Sequence, residues 1–377
     1  MAKPPLVMVV CGEESGDRLA AAVVAQLKQT YPGLQLIGVG GAALAAQGLR
    51  SEFPLAELSV MGLMEVLWRL PKLLTRKAQL VQLAQHDQPD LLLTVDAPDF
   101  SLRVARAAKA KRPNLPCVHM VSPSVWAWRP ERVHTMAKFL DHVLALLPFE
   151  PPYYANTNLP CTYVGHPVVQ AVGAARALQG LHTPPRLAVL PGSRQTELPR
   201  LAPLLARTAQ LLQEKIPGLE VMVPLGSIFT PAQVQPFFTA VKNIAYVQGE
   251  GRLEALATCD AALAKCGTNN LELAVLGLPH VVTYQMHPWT YRWVKRQLQI
   301  AHVSPVNLVA GEAVVPELLQ NAATPAALAN ALLPLLGPTP LRQAQQAGLA
   351  AVRQALQVVD YTPAQRAAQV IASYLPQ

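Results

Sequence analysis

Along this chain short runs of Val, Ile and Leu alternate with longer segments of helical period, and the alternation runs through once, pauses, and begins again. The first pass reads as strand Leu6–Cys11, a helix near Ser15–Gln29, strand Leu34–Gly38, a long helical region Gly62–Ala84, strand Asp90–Val95 and helix Phe100–Lys111. Strands Cys117–Val121 and His142–Leu146, helix Glu150–Asn156 and a short strand Thr162–Gly165 complete it. The second pass has strands Arg186–Leu190, Glu220–Pro224, Ile244–Val247, Ala261–Ala264 and Pro279–Thr283. Between them lie helices Leu198–Lys215, one near Pro231–Ala240, Arg252–Thr258 and Asn269–Leu276. Helical stretches Pro288–Leu298, Pro325–Leu333, Pro340–Val358 and Pro363–Tyr374 follow. Strands that alternate with helices pair in parallel, because each return crosses the sheet, and the helices then cover both faces. The expected class is α/β with two doubly wound parallel sheets. The aperiodic stretch Gly173–Pro185 divides domain 1–175 from domain 185–340, and 341–377 is a helical tail free to pack back on the first domain.

At 377 residues the chain outgrows the roughly 250–300 residues at which single cores divide. With 51% hydrophobic and 14% charged residues it can bury large cores, which excludes a disordered chain. Its formal charge of +8 is clustered: Arg69, Lys72, Arg76 and Lys77; Arg103, Arg106, Lys109, Lys111 and Arg112; Arg292, Lys295 and Arg296. Such clusters suit phosphorylated substrates or anionic headgroups. Nucleic acid is not expected as a partner, because no nucleic-acid module is present and the clusters ride on apolar helices. Cys11, Cys117, Cys161, Cys259 and Cys266 have no C-x-x-C spacing, which reads as reduced core thiols of a cytoplasmic protein. The apolar run Leu6–Val10 is too short for a signal-peptide core, and no apolar stretch reaches the ~18–20 residues of a spanning helix. Membrane contact is therefore expected to be peripheral.

In an open α/β sheet, ligands bind at the carboxyl ends of the strands, where loops and helix N-termini meet. After Arg186–Leu190 comes Pro191-Gly192-Ser193-Arg194. The amides of a first helical turn lack internal partners and carry the positive end of the dipole, so such a loop suits an anion, and Arg194 adds a forked cationic donor. After Ala261–Ala264 comes Lys265-Cys266-Gly267-Thr268-Asn269-Asn270-Leu271-Glu272, a second glycine and threonine loop at a helix start. Glu272 is placed either to meet ribose hydroxyls or to sit as a favourable acid in the first turn.

In the first half, Cys11-Gly12-Glu13-Glu14-Ser15-Gly16-Asp17 lacks both the dinucleotide and the Walker fingerprints, so Glu13 and Ser15 mark either a cleft or an ordinary tight turn. Asp96-Ala97-Pro98-Asp99-Phe100 sets two carboxylates around a stiff turn. Asp99 is either a general base for a sugar hydroxyl or a cap on the helix that follows. Ser122-Pro123-Ser124-Val125-Trp126-Ala127-Trp128-Arg129 puts two tryptophans in one loop, and Ser122 and Trp126 can line a sugar or acyl site or pack in the core. His166, in Gly165-His166-Pro167, is a donor to phosphate or sugar, or structural.

The stretch Val60–Lys77 carries Met61, Leu63, Met64, Leu67, Trp68, Leu70 and Leu74 beside Arg69, Lys72, Arg76 and Lys77. That composition suits either a lipid interface with anionic headgroups or a sheet-covering helix with a wet basic edge. No motif calls for a metal or for a cofactor.

These segments together resemble the lipid-A-disaccharide synthases, glycosyltransferases of the GT-B architecture with two Rossmann-like domains facing a cleft. The resemblance runs nearly end to end and rests on Gly12–Asp17, Val60–Gly62, Asp96–Phe100, Ser122–Arg129, Leu147-Pro148-Phe149-Glu150, Gly165–Pro167, Leu190–Arg194 and Asn307-Leu308. It implies transfer of 2,3-diacylglucosamine from UDP to 2,3-diacylglucosamine 1-phosphate, giving a β-1,6 disaccharide and UDP with inversion. In that family the position of Asp99 is the favoured base and that of Arg194 belongs to the UDP site. Gly192, Ser193, Gly267 and Thr268 match its loops, and Glu272 and Asn307 are associated with it.

The same resemblance makes Val60–Leu74 a membrane-contacting segment, on the inner face of the cytoplasmic membrane, and leaves room for a homodimer. Lys265-Cys266 and Asn269-Asn270 depart from the family's small Ser-Gly-Thr loop, and Glu14 stands where a threonine is common. Two other readings fit the residues: another UDP-sugar enzyme of the same architecture, an epimerase included, or a nucleotide- or lipid-binding module without catalysis.

Overall fold

The computed structural model describes residues 3–58, 63–173, 181–192, 196–226, 229–287, 291–292, 296–297 and 300–376, without the side chains of 63–68 and 250. The chain forms two compact units, Met1–Pro167 with Val358–Gln377, and Val168–Gln357.

The first unit alternates β1 (Leu6–Cys11), α1 (Glu14–Thr30), β2 (Gln35–Val39), α2 (Ala42–Ala46), α3 (Leu63–His86), β3 (Leu91–Val95) and α4 (Pro98–Lys111). It continues with β4 (Cys117–Met120), α5 (Arg132–Met136), β5 (His142–Ala145) and β6 (Cys161–Tyr163). All pairs are parallel, in the order β2-β1-β3-β4-β5-β6. The unbroken apolar runs of β1 and β3 are what a sheet covered on both faces demands. Val7, Val9 and Cys11 with Leu91, Leu93 and Val95 pack on one side, and Met8, Val10 and Leu92 on the other.

The second unit begins with α6 (Val168–Val172) and builds β7 (Arg186–Leu190), α7 (Leu198–Lys215), β8 (Glu220–Leu225), α8 (Pro231–Val234), β9 (Ile244–Gln248), α9 (Arg252–Ala257), β10 (Ala261–Lys265) and α10 (Asn269–Leu276). Then come β11 (His280–Tyr284), α11 (Pro305–Ala310), β12 (Glu317–Leu319), α12 (Pro325–Leu332) and α13 (Pro340–Ala355). Its sheet is again parallel, in the order β12-β11-β10-β7-β8-β9.

The C-terminal segment divides between the units. Helix α13 is clipped to the second sheet: Gln345 accepts from His280 N at 2.7 Å and donates to His280 O at 3.2 Å. Helix α14 (Pro363–Ala372) instead lays Ala367, Ala368 and Ile371 on the first core, with Ala20, Val24 and Leu27 of α1. The expectation grouped 341–377 as one tail, whereas the compact units part at Val358. The sequence explains the sharp helix starts. Thr324-Pro325, Thr339-Pro340 and Thr362-Pro363 each place a hydroxyl that accepts an amide three residues on, at 3.2, 3.2 and 3.1 Å.

Some elements differ from the sequence reading. Residues Pro151–Tyr154 form a 3-10 turn rather than an α-helix, since two adjacent prolines remove amide donors. The short α2, α5, α6 and α11 and the three-residue β12 carry too few residues for a periodic signal. Most of Pro288–Leu298 lies outside the described residues.

Candidate functional site

In the first unit the β3–α4 turn is unusual. Asp96 and Ala97 both have positive φ, 57° and 42°, a conformation L residues seldom adopt in succession. The turn is tied from three sides: Asp96 Oδ1 accepts the Ala97 amide at 2.7 Å, Ser15 Oγ donates to Asp96 Oδ2 at 3.3 Å, and Ser101 Oγ donates to Asp96 O at 2.6 Å. Asp99 is thereby set in the first turn of α4. Ala97, not Asp99, holds the N-cap position, and no side chain caps the helix, so the capping role weighed for Asp99 falls away. The Asp99 side chain is 85% exposed, and Arg132 of α5 donates to its Oδ1 at 3.3 Å. It is a carboxylate open to a hydroxyl and steadied by one cation.

Residues at the start of α1 divide their tasks. Glu13 is exposed at the N-cap of α1. Asp17 is buried and accepts from the amides of Gly41, Ala43 and Leu44 at 2.7, 2.9 and 3.2 Å, so it anchors the start of α2.

The tryptophan loop is fastened rather than free. Trp126 Nε1 donates to Glu150 Oε1 at 3.2 Å, the Leu147 amide donates to Glu150 Oε2 at 3.0 Å, and the Trp126 ring meets Phe149 edge-on at 5.3 Å. Glu150 is 3% exposed, and burial pushes its carboxyl up to about 7. Ser122, also buried, shares a 2.8 Å hydrogen bond with the Tyr154 hydroxyl. Ser122 and Trp126 therefore spend their polar atoms on fastening the loop, while Arg129 stacks its guanidinium 4.4 Å from the Trp128 ring. His166 follows β6, and burial lowers its imidazole to about 4, so it is neutral at neutral pH.

In the second unit Gly192, Lys265, Gly267, Thr268 and Glu272 gather at the carboxyl ends of β7 and β10. Ser193 and Arg194 lie outside the described residues. Gly192 has φ 99°, which glycine alone takes without strain. Arg252 Nη2 donates to Glu272 Oε1 at 2.7 Å, and the other Glu272 oxygen is buried with no hydrogen-bond partner among the described residues. Asn270 folds the loop on itself: its Oδ1 accepts the Gly267 amide at 2.9 Å and its Nδ2 donates to Lys265 O at 3.4 Å. Thr268 holds the N-cap position of α10 without a side-chain cap bond.

Asn307 does not join this group. Its amide is fully buried, donating to Val315 O at 2.9 Å and Glu317 Oε1 at 2.8 Å and accepting the Val315 amide at 2.9 Å. Both donors are consumed in holding α11 to β12, which removes Asn307 from the residues able to reach a ligand.

On α3, Leu70 and Leu74 are 38% and 47% exposed, unusual for leucines on a helix that covers a sheet. Lys72 and Arg76 of the same helix pair with Glu57 at 3.3 and 2.8 Å. Met61 and the side chains of Leu63, Met64, Leu67 and Trp68 lie outside the described residues. Among the described residues no helix is long and apolar enough to cross a membrane.

Several of these residues carried no separate signal in the sequence. Arg132, Arg252, Glu197 and Tyr284 are ordinary surface types in linear view, and only the fold brings them to Asp99, Glu272 and Lys265. Glu150 closes the segment Leu147-Pro148-Phe149-Glu150 four residues after a strand, and nothing in the linear pattern marks it as a buried acid.

The family model described as lipid-A-disaccharide synthetase matches residues 7–371. This chain belongs to that family. Relatives named lipid-A-disaccharide synthase include that of Rhodospirillum centenum, 39% identical with 99% of this chain and 95% of the relative covered, and that of Ruegeria pomeroyi, 42% identical with 98% and 95% covered. Among solved structures, the UDP-GlcNAc 2-epimerase of Neisseria meningitidis superposes with a TM-score of 0.62 at 12% identity, covering 98% of both chains. Spinosyn forosaminyltransferase SpnP gives 0.62 at 15%, covering 99% of this chain and 100% of its own. At such identity these two report the fold, the GT-B class. As a member of the synthetase family the chain is a glycosyltransferase of lipid A biosynthesis.

Proposed function

We propose that the chain joins UDP-2,3-diacylglucosamine to 2,3-diacylglucosamine 1-phosphate, with Asp99 as the base and the second unit as the UDP site. The observation that carries this reading is Asp99 itself: an exposed carboxylate on a rigid turn, beyond the carboxyl end of a central strand, with one oxygen held by Arg132. Such a group can take the proton from the acceptor's 6-hydroxyl as that oxygen attacks the anomeric carbon. A single displacement inverts the centre and needs one base. The departing UDP gains negative charge, and donors fixed beforehand around its diphosphate lower the barrier. In this reading the Gly192–Arg194 loop and the start of α10 supply those donors, and Glu272, paired with Arg252, meets the ribose hydroxyls.

Membrane association completes the proposal, because both substrates carry acyl chains. Exposed Leu70 and Leu74, flanked by Arg69, Lys72, Arg76 and Lys77, suit an interface rich in anionic headgroups on the inner face of the cytoplasmic membrane. The test is direct: incubate the protein with the UDP-sugar and the sugar phosphate and look for disaccharide and UDP by mass spectrometry. Turnover of the UDP-sugar without acceptor, or no disaccharide, would overturn the reading.

A further inference from the structure

The last residue of β10, Lys265, stands where the two glycine loops of the second unit meet. Its aliphatic stem lies against Gly192, so closely that a Cβ there would approach Lys265 Cδ at 3.0 Å and Cγ at 3.4 Å. Its ammonium lies beside the second loop, 4.0 Å from where a Gly267 Cβ would be. Glycine at 192 thus serves two ends: it takes the positive φ of the turn, and it leaves the channel through which the lysine passes.

Two side chains fix the ammonium. Glu197, at the N-cap of α7, places Oε2 3.0 Å from Lys265 Nζ, and Tyr284 at the end of β11 donates its hydroxyl to the other Glu197 oxygen at 2.8 Å. The Tyr284 ring also faces the ammonium, 5.3 Å from Nζ to the ring centroid. Lys265 and Glu197 side chains are only 13% and 10% exposed. A cation this enclosed, on strand and helix ends rather than a flexible loop, loses little freedom when an anion arrives. An ammonium carries three donors, and its contact with Glu197 is an ion pair.

We propose that Lys265 is a second cationic donor to the nucleotide diphosphate, reaching it between the Gly192 and Gly267 loops and held ready by Glu197 and Tyr284. This rests on the UDP site proposed above and adds to it a lysine from the end of β10. The carboxylate of Glu197 keeps the ammonium oriented, and the diphosphate then shares it.

Calorimetry with UDP and with uridine tests this on wild type and on Lys265→Met, which keeps the stem against Gly192. Lys265→Met is expected to weaken UDP about tenfold, the scale of one hydrogen bond to a charged group, and to leave uridine unchanged. Unchanged UDP affinity, or an equal loss for uridine and UDP, would overturn the role of Lys265. Failure of the wild type to bind UDP would instead overturn the site itself. A measurement on the wild type covers the case in which the variant does not fold: reductive methylation read by mass spectrometry should spare Lys265 in UDP but not in uridine. Equal labelling in both would also overturn the proposal.

Discussion

Gly12 and Ala97 approach so closely that a Cβ built on the glycine would overlap the Cβ of Ala97. Neither partner can yield by rotating a side chain, because the atom in the way is fixed to the backbone of a turn whose two residues already have positive φ. The β1–α1 loop is therefore the floor on which the turn carrying Asp99 rests. Gly12→Ala should displace that turn, destabilise the first unit by about 1–3 kcal/mol, and cut transfer by about a hundredfold, the scale of a 1 Å misplacement. Steady-state transfer assays on protein shown to be folded by circular dichroism check this, and wild-type kcat would refute it.

Asp99→Asn keeps shape and exposure and removes the basic oxygen. Transfer should fall by about 10²–10⁴, the usual contribution of a general base, while UDP affinity by calorimetry stays at the wild-type value. A variant that retains transfer would take Asp99 out of the reaction.

Much of this was legible in the sequence because the fold of each unit follows from strand and helix periods. Helices α7 and α10 have the bounds the pattern gave, as do strands β1 and β7. The site was legible as loops, since each chemistry-bearing segment follows a strand. What a linear pattern cannot carry is which polar groups are consumed internally. Asn307, tied to the site only by the family resemblance, holds backbone and carboxylate groups of its own unit, whereas Arg132 and Arg252 look like surface charge and face Asp99 and Glu272. Those distinctions depend on tertiary distance, across 33 positions for Arg132 and Asp99 and 20 for Arg252 and Glu272.

Asn307→Ala tests that distinction. With its donors and acceptor all used in the core, its loss should destabilise the second unit by about 2–3 kcal/mol, because the buried Val315 amide and carbonyl lose their partner, while Glu317 keeps the amides of Val303 and Ser304. UDP affinity of the folded fraction should not change. A tenfold weaker UDP with unaltered stability would return Asn307 to the ligand site.

Among the described residues of α3, Leu70 and Leu74 are the exposed leucines, with basic residues around them. Leu70→Ser with Leu74→Ser should reduce sedimentation with vesicles containing anionic phospholipid, without changing the melting temperature, since neither side chain is buried. Equal binding to vesicles would assign the basic clusters alone to the membrane, or remove the segment from it.

Glu150 sets a pH dependence of stability with a definite sign. Its carboxyl ionises near the usual 4.5 in the unfolded chain and at about 7 in the folded protein, where burial outweighs the donors Trp126 and Leu147. Between those values the folded protein holds a proton that the unfolded chain has released, so raising the pH through this window disfavours the folded state. Below 4.5 both states are protonated and above about 7 both are ionised, and the contribution is flat. The gap is worth about 3 kcal/mol at roughly 1.4 kcal/mol per pH unit. Glu150→Gln abolishes the titration, so the wild type should lose about 3 kcal/mol relative to the variant between pH 4.5 and 7.5 in denaturant unfolding of the first unit. A difference between the two proteins that stays constant across that range would show that the carboxyl titrates normally, and with it that Trp126 does not rest on a buried acid.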